Sequence, residues 1–282
     1  MIYFYSSKIA SITKYNKYTS NDDYIKIFTD YLYKHKEELL EFDTNNTNLV
    51  LLNDEEHMDT IVLKNFNQNT KNDIKNIINS EVTNNDDLIE KTKQLNSLVN
   101  STEIDEKEKN CINKQLNSKV NCSYGTNSEN NAITLYEKTT NLKIYNNNAK
   151  LFSYKYENFA ICGKTDGFVD IGDKTYIFET KNRKNRIFSL IPIYEKIQLL
   201  CYTVICNNKN IVFTQCINDK IDITILDNYS DDTIWNDVLQ KLEIYADLLY
   251  KMQNNTKLRH SFINLSNVDE KFKLLKKYLN WL

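Results

Sequence analysis

The sequence predicts a protein of the α/β class, and three observations carry that expectation. β-Branched and aromatic residues gather in two pairs of short runs, 163–171 with 175–181 and about 210–217 with 220–226, each pair hinged on turn residues. Apolar stripes at helical spacing precede, separate and follow those pairs. Of the 282 residues, 41% are hydrophobic, including 19 Tyr and 12 Phe, which is enough to build a core and excludes a disordered chain. The length suits one large domain or two small ones.

In chain order, Ser6-Ser7-Lys8-Ile9-Ala10-Ser11-Ile12 reads as a helix over 6–14, with a serine as N-cap and Ile9 and Ile12 inward. A longer helix is expected over 22–42, where Tyr24, Ile27, Phe28, Tyr31 and Leu32 recur at helical spacing. The composition then shifts. From 44 to about 119 Asn clusters interrupt short helical pieces and Phe66 is the sole aromatic, so this stretch reads as an Asn-rich, mainly helical insertion between residues 1–43 and 120–282. The charge run Glu103–Lys109 reads as a solvated helix face. A helix from Glu129 sets Ala132, Ile133 and Tyr136 on one stripe with that acid. A carboxylate there is either a favourable first-turn acid or a group that needs a partner or a metal. Gly172-Asp173 joins the first two strands, and Asn218-Asp219 the later pair. Between the pairs a helix is expected over 188–206, with Pro192 in its first turns and Ile193, Ile197, Leu200, Cys201 and Val204 inward. Two amphipathic helices close the chain, one through Trp235, Leu239, Leu242, Tyr245 and Leu249, the other through Phe272, Leu275, Leu279 and Leu282.

Composition narrows the function classes. A net charge of −2 and a pI near 6.0 give no overall basic character, so any contact with nucleic acid must be local. About forty Asn beside abundant Lys, Ile and Tyr point to an AT-rich genome. The start has no basic n-region followed by an apolar core, and no run approaches 18 apolar residues, so a soluble intracellular protein is expected, with no membrane partner. The six cysteines form no CxxC pair and have no paired His, so zinc is not expected and free thiols are.

The chemistry concentrates at the first strand pair. Alternation along the second strand puts Glu179 and Lys181 on one face, about 7 Å apart, with Tyr176, Phe178 and Thr180 on the other. Asp166, at the mouth of the preceding strand, can reach the same place. Two acids and a lysine at a sheet edge suit metal-assisted phosphodiester hydrolysis: carboxylates hold hard cations, and an ammonium steadies the attacking water or developing charge. The basic run of Arg183, Lys184 and Arg186 follows directly and is expected to grip phosphates. On the next helix Gln198 and Tyr202 stand side by side at i and i+4.

Taken together, Tyr124-Gly-Thr-Asn-Ser-Glu129-Asn-Asn-Ala132, Gly163-Lys-Thr-Asp166-Gly167, Glu179-Thr180-Lys181 and Gln198-Leu-Leu-Cys-Tyr202 resemble, in order and spacing, the phage lambda exonuclease and YqaJ viral recombinase family of the PD-(D/E)xK nuclease superfamily. Gln198-x-x-x-Tyr202 is also similar to a motif of RecB-type and CRISPR-associated relatives, and Ser6-Ser7-Lys8-Ile9-Ala10 resembles the family's serine-bearing first helix. The likeness spans about 1–20 and 120–217. It implies a restriction-endonuclease-like core, a mixed central sheet flanked by helices, and Mg²⁺- or Mn²⁺-dependent cleavage of DNA at duplex ends in viral recombination or replication. It implies Asp166, Glu179 and the Thr180 carbonyl as metal ligands assisted by Glu129, Lys181 at the attacking water, Gln198 and Tyr202 supporting the site, and Ser7 and Lys8 on the DNA backbone. An annealing protein, a helicase or further copies of the chain are the partners it implies. Thr165 stands where the family carries proline, and no arginine precedes Ser7, so strict dependence on a 5′ phosphate is not expected. The alternatives are a CRISPR-associated RecB-like nuclease and an inactive DNA-binding module. The cysteine spacing does not suit the iron–sulfur cluster usual in the former, and retention of all four charged site residues argues against the latter.

Overall fold

A computed structural model describes residues 1–34, 36–39, 43, 63, 65–80, 82, 85–146 and 150–282. The architecture is α/β, with mixed sheets flanked by helices. The strands divide between two sheets where a single mixed one was expected. In the first, β1 (Ile2–Tyr5) runs parallel to β3 (Phe159–Gly163), and β3 pairs antiparallel with β2 (Phe152–Lys155). In the second, β4 (Gly167–Ile171), β5 (Lys174–Asn182), β6 (Ile211–Ile217) and β7 (Lys220–Leu226) lie in that order, with only the β5–β6 pair parallel.

The run 163–171 is therefore not one strand. Gly163 ends β3 and Gly167 opens β4, and Lys164-Thr165-Asp166 carries the chain from one sheet to the other. Both expected hairpins form, with Gly172 at φ +63° in the first turn and Asn218 at φ +51° in the second. Gly and Asn are the residues that tolerate this left-handed backbone.

Parallel pairing of β5 and β6 requires a crossover. The chain supplies it first as an irregular segment over 183–192, then as a helix Ile193–Ile205. That helix starts five residues later than expected. Pro192 serves as its N-cap, and the residue before a proline is driven out of helical geometry. The first helix, α1 (Ser6–Ile12), likewise departs from expectation: Tyr5 is its N-cap, and no side chain caps it. α2 (Asn21–Tyr33) opens on a reciprocal Ser20–Asp23 capping box and ends at Tyr33; residues 40–42 of the expected helix lie outside those described.

The stretch after residue 62 forms α3 (Gln68–Asn79), α4 (Asn85–Asn100) and α5 (Glu106–Asn127) around an apolar cluster of their own, including Leu88, Leu95, Val99, Ile112, Leu116 and Val120. α6 (Glu129–Thr140) follows at once. Its Ile133 and Tyr136 pack on Val169, Tyr176, Phe178 and Val212, one face of the second sheet. The crossover helix, α7, covers the other face through Ile197, Leu199 and Cys201, in the main core that holds Ile177, Ile211 and Phe213. Three helices, α8 (Asp232–Asn254), α9 (Thr256–Ile263) and α10 (Val268–Lys276), close the chain where two were expected. Among the described residues no helix is long and apolar enough to cross a membrane.

Candidate active site

Alternation along β5 sends Tyr176, Phe178 and Thr180 toward α6 and leaves Ile177, Glu179 and Lys181 facing α7. Glu179 is 1% exposed. Lys181 Nζ donates to Glu179 Oε1 at 2.5 Å and to Gln198 Oε1 at 3.0 Å. Gln198 Nε2 in turn donates to Tyr202 Oη at 2.7 Å, so the amide is oriented by a partner on each side. Asp166 enters from the turn between the sheets, where its Oδ2 accepts the Thr180 amide N–H at 2.8 Å. The structure thus brings together Asp166, Glu179, Lys181, Gln198 and Tyr202, with the Thr180 backbone beside them.

The electrostatics of this group are those of two acids forced together away from water. Burial first, and the neighbouring Asp166 charge second, push Glu179 up to about 8, against the pull of Lys181. Burial likewise raises Asp166, opposed by Lys181 and the Thr180 amide. Burial works to lower Lys181, but the two carboxylates outweigh it and hold the ammonium above its ordinary range. Glu179 Oε2 is buried and has no hydrogen-bond partner among the described residues. An orphaned carboxylate oxygen beside a second carboxylate is a donor set that a hard divalent cation fits. A cation there would offset the burial that raises both acids and the Asp166 charge that raises Glu179 further.

Other expected residues are placed differently. Glu129 opens α6, half-buried, on the side of the second sheet opposite Lys181 and Gln198. Among the described residues no three acidic, His or Cys side chains gather closely enough to hold a metal, so Glu129 does not join Asp166 and Glu179 in such a cluster. Ser7 and Lys8 are exposed on α1, and Lys8 lines a groove of about 130 Å³ with Asp30 and Lys34, between α1 and α2. Arg183 corrects the expectation of an exposed basic rim. It is 8% exposed, its Nη1 and Nη2 donate to Glu195 Oε1 and Oε2 at 2.6 and 2.8 Å, and its Nε donates to Gln215 Oε1 at 2.9 Å. Arg183 lies one residue past the end of β5 and continues its alternation, with its N–H on the Cys216 carbonyl, so it shares the inward face with Glu179 and Lys181. Lys184 is half-buried and donates to Thr92 on α4 at 3.2 Å, while Arg186 is exposed, over the Phe188 ring.

Two residues of this region escaped sequence reasoning. Ser6, not Ser7, turns inward; it is 3% exposed, lies beside Tyr202 and is packed on Gly163. Its signal was present in the spacing to Ile9 and Ala10, one turn on. Glu195, one turn before Gln198 on α7, had no distinguishing signal, since a first-turn acid is the ordinary content of a helix start.

No protein-family model matches the chain, and no curated protein matches it. Among solved structures, the chain is similar to an alkaline exonuclease, LHK-Exo, from Laribacter hongkongensis, at 13% identity and a TM-score of 0.40, over 67% of this chain and 90% of that one. The same figures hold for LHK-Exo in complex with dAMP. Likeness at this level is one of coarse fold, and the chemistry of the site rests on this chain's own residues.

Proposed function

We propose that this chain is a metal-dependent deoxyribonuclease that hydrolyses phosphodiester bonds, acting as an exonuclease on duplex DNA ends in viral recombination or replication. The observation that carries the proposal is the buried Asp166–Glu179–Lys181 group with its orphaned Glu179 oxygen. Asp166, Glu179 and the Thr180 carbonyl would hold Mg²⁺ or Mn²⁺, whose charge supplies Lewis acidity toward a phosphoryl oxygen and favours hydroxide over water. Lys181 has three N–H donors, two of them engaged by Glu179 and Gln198. The third is left to orient the attacking water or to bond a non-bridging phosphate oxygen as charge grows there. Gln198, fixed by Tyr202, keeps Lys181 aimed.

The deciding experiment incubates linear duplexes labelled at the 5′ or the 3′ end, alongside closed circles, with Mg²⁺, Mn²⁺ or EDTA. Linear duplex is expected to be degraded only with the metal, and circles to be spared. Asp166→Ala and Glu179→Ala are each expected to lose more than about a hundredfold in rate, since even groups behind metal ligands are worth ten to a hundredfold. Wild-type rates in either folded variant would sink the assignment. Cleavage in EDTA would remove the metal from it.

A further inference from the structure

β5 and α7 meet through successive polar rungs. Lys181 bonds Gln198, and two residues on, just past the end of the strand, Arg183 bonds Glu195, one turn earlier on the helix. Residues three apart on a helix are surface neighbours, so Glu195 is the acid nearest to the Lys181–Gln198 contact on that helix. Both oxygens of Glu195 are occupied, and by Arg183 alone among the bonds described. The guanidinium is fixed from two further directions. Gln215, 2% exposed and opposite Lys181 in the β5–β6 register, accepts its Nε. The same Gln215 holds both backbone groups of Phe188, at 3.0 Å from the N–H and 2.9 Å from the carbonyl. The Phe188 ring lies 4.5 Å under the guanidinium.

We infer that Arg183 is a positioning residue for the proposed hydrolysis: by occupying both oxygens of Glu195 it keeps that carboxylate from capturing Lys181, which thereby stays on Glu179 and Gln198. This rests on the nuclease reading for its kinetic consequence, but not for its structural one. A lysine at position 183 would bring a point charge where the fork was, and would leave one Glu195 oxygen open. Lys181 would then partition between Glu195 and the site.

The test compares Arg183→Lys with the neutral double substitution Arg183→Gln/Glu195→Gln, each first confirmed as folded by circular dichroism. Arg183→Lys is expected to lower kcat about tenfold at unchanged KM for linear duplex, the equivalent of one charge-assisted bond misdirected. The double variant has no acid to capture Lys181 and is expected to recover kcat to within about threefold of wild type. A role in stability alone would lower the melting temperature of Arg183→Lys without moving kcat, and that result overturns the inference. A folded double variant as slow as Arg183→Lys also overturns it, because the guanidinium itself would then be required. A crystal structure of Arg183→Lys supplies a readout independent of activity: Lys181 Nζ is expected nearer Glu195, with the Gln198 contact lengthened. Should wild type cleave no DNA, the nuclease reading falls, and this displacement still decides the role of Arg183.

Discussion

Gly163 ends β3 against the first turn of α1, and a Cβ built there would collide with Ser6 Oγ, while standing 3.1 Å from Ser6 Cβ and 3.3 Å from Ile205 Cδ1. The glycine is needed for close approach and not for its backbone angles. Gly163→Ala is therefore expected to displace Ser6 and the first turn of α1 and to cost about 1–3 kcal/mol, the usual penalty of overpacking a tight contact. An unchanged urea midpoint in that variant would show that α1 can yield. The same contact shows what was legible in single residues. Glu179, Lys181, Gln198 and Tyr202 could be picked out because strand and helix periods decide which side chains share a face, and Asp166 by its place at the mouth of a strand, and the structure does bring these together. Periodicity also held the answers for Ser6, on the inward face of α1, and for Arg183, which continues the inward alternation of β5 one residue past its end. A run of basic residues nevertheless reads as a solvated patch until the acid that meets it, here Glu195 twelve positions on, is known.

At the scale of elements, the unit β5–α7–β6 sets the site, and its strands were legible from β-branched and aromatic runs bounded by Gly172 and Asn218. The first sheet was not. β3 is buried at every position, so it shows no alternation, and β2 is exposed along most of its length, so it shows no apolar face. The late start of α7 escaped as well, because Gln215 pairs with the backbone of Phe188 and holds the chain out of helix there, a long-range effect. Within α7 the pair Gln198–Tyr202 yields a further prediction. Tyr202→Phe removes the acceptor of Gln198 Nε2 and leaves a half-buried amide donor unpaired, at about 1 kcal/mol. The amide is then free to turn its nitrogen toward Lys181, so kcat is expected to fall about tenfold, with circular dichroism unchanged. Retention of both melting temperature and kcat would mean that Tyr202 does not orient Gln198.

Across the whole molecule, two features tie distant parts of the chain, and they differ in kind. Asp43, fully buried, accepts from Arg259 Nε at 2.5 Å and Nη2 at 3.1 Å and from Tyr33 Oη at 2.7 Å, and lies 2.9 Å from His260 Nε2, so it fastens the N-terminal helices to α9. Burial pushes its carboxyl up, but these bonds outweigh burial and hold it below the ordinary value. A lowered folded value means stability that is present above the unfolded value of about 3.9 and lost as pH falls through the folded one. Asp43→Asn should thus cost about 3–5 kcal/mol at pH 7 by stranding Arg259, and should lack that increment of acid destabilisation in urea titrations below about pH 4. The helices α3–α5 are joined to the rest differently. Their apolar cluster runs from Leu63 to Tyr124 and is separate from the main core, and Lys184–Thr92 is one polar contact that links them to the loop after β5. A helical unit of this size, about 60 residues, lies near the lower limit of what folds alone. Removing all of it should therefore leave the main core whole. A cut at 115 would strand the buried Leu116, Val120 and Tyr124 on a helical stump, so the clean deletion spans 63–124 with a flexible Gly/Ser linker. The shortened chain is expected to unfold in one cooperative transition, and to keep the Asp166–Glu179–Lys181 group and the metal-dependent cleavage proposed for it. A deletion protein that unfolds without cooperativity would show that α3–α5 are part of the core.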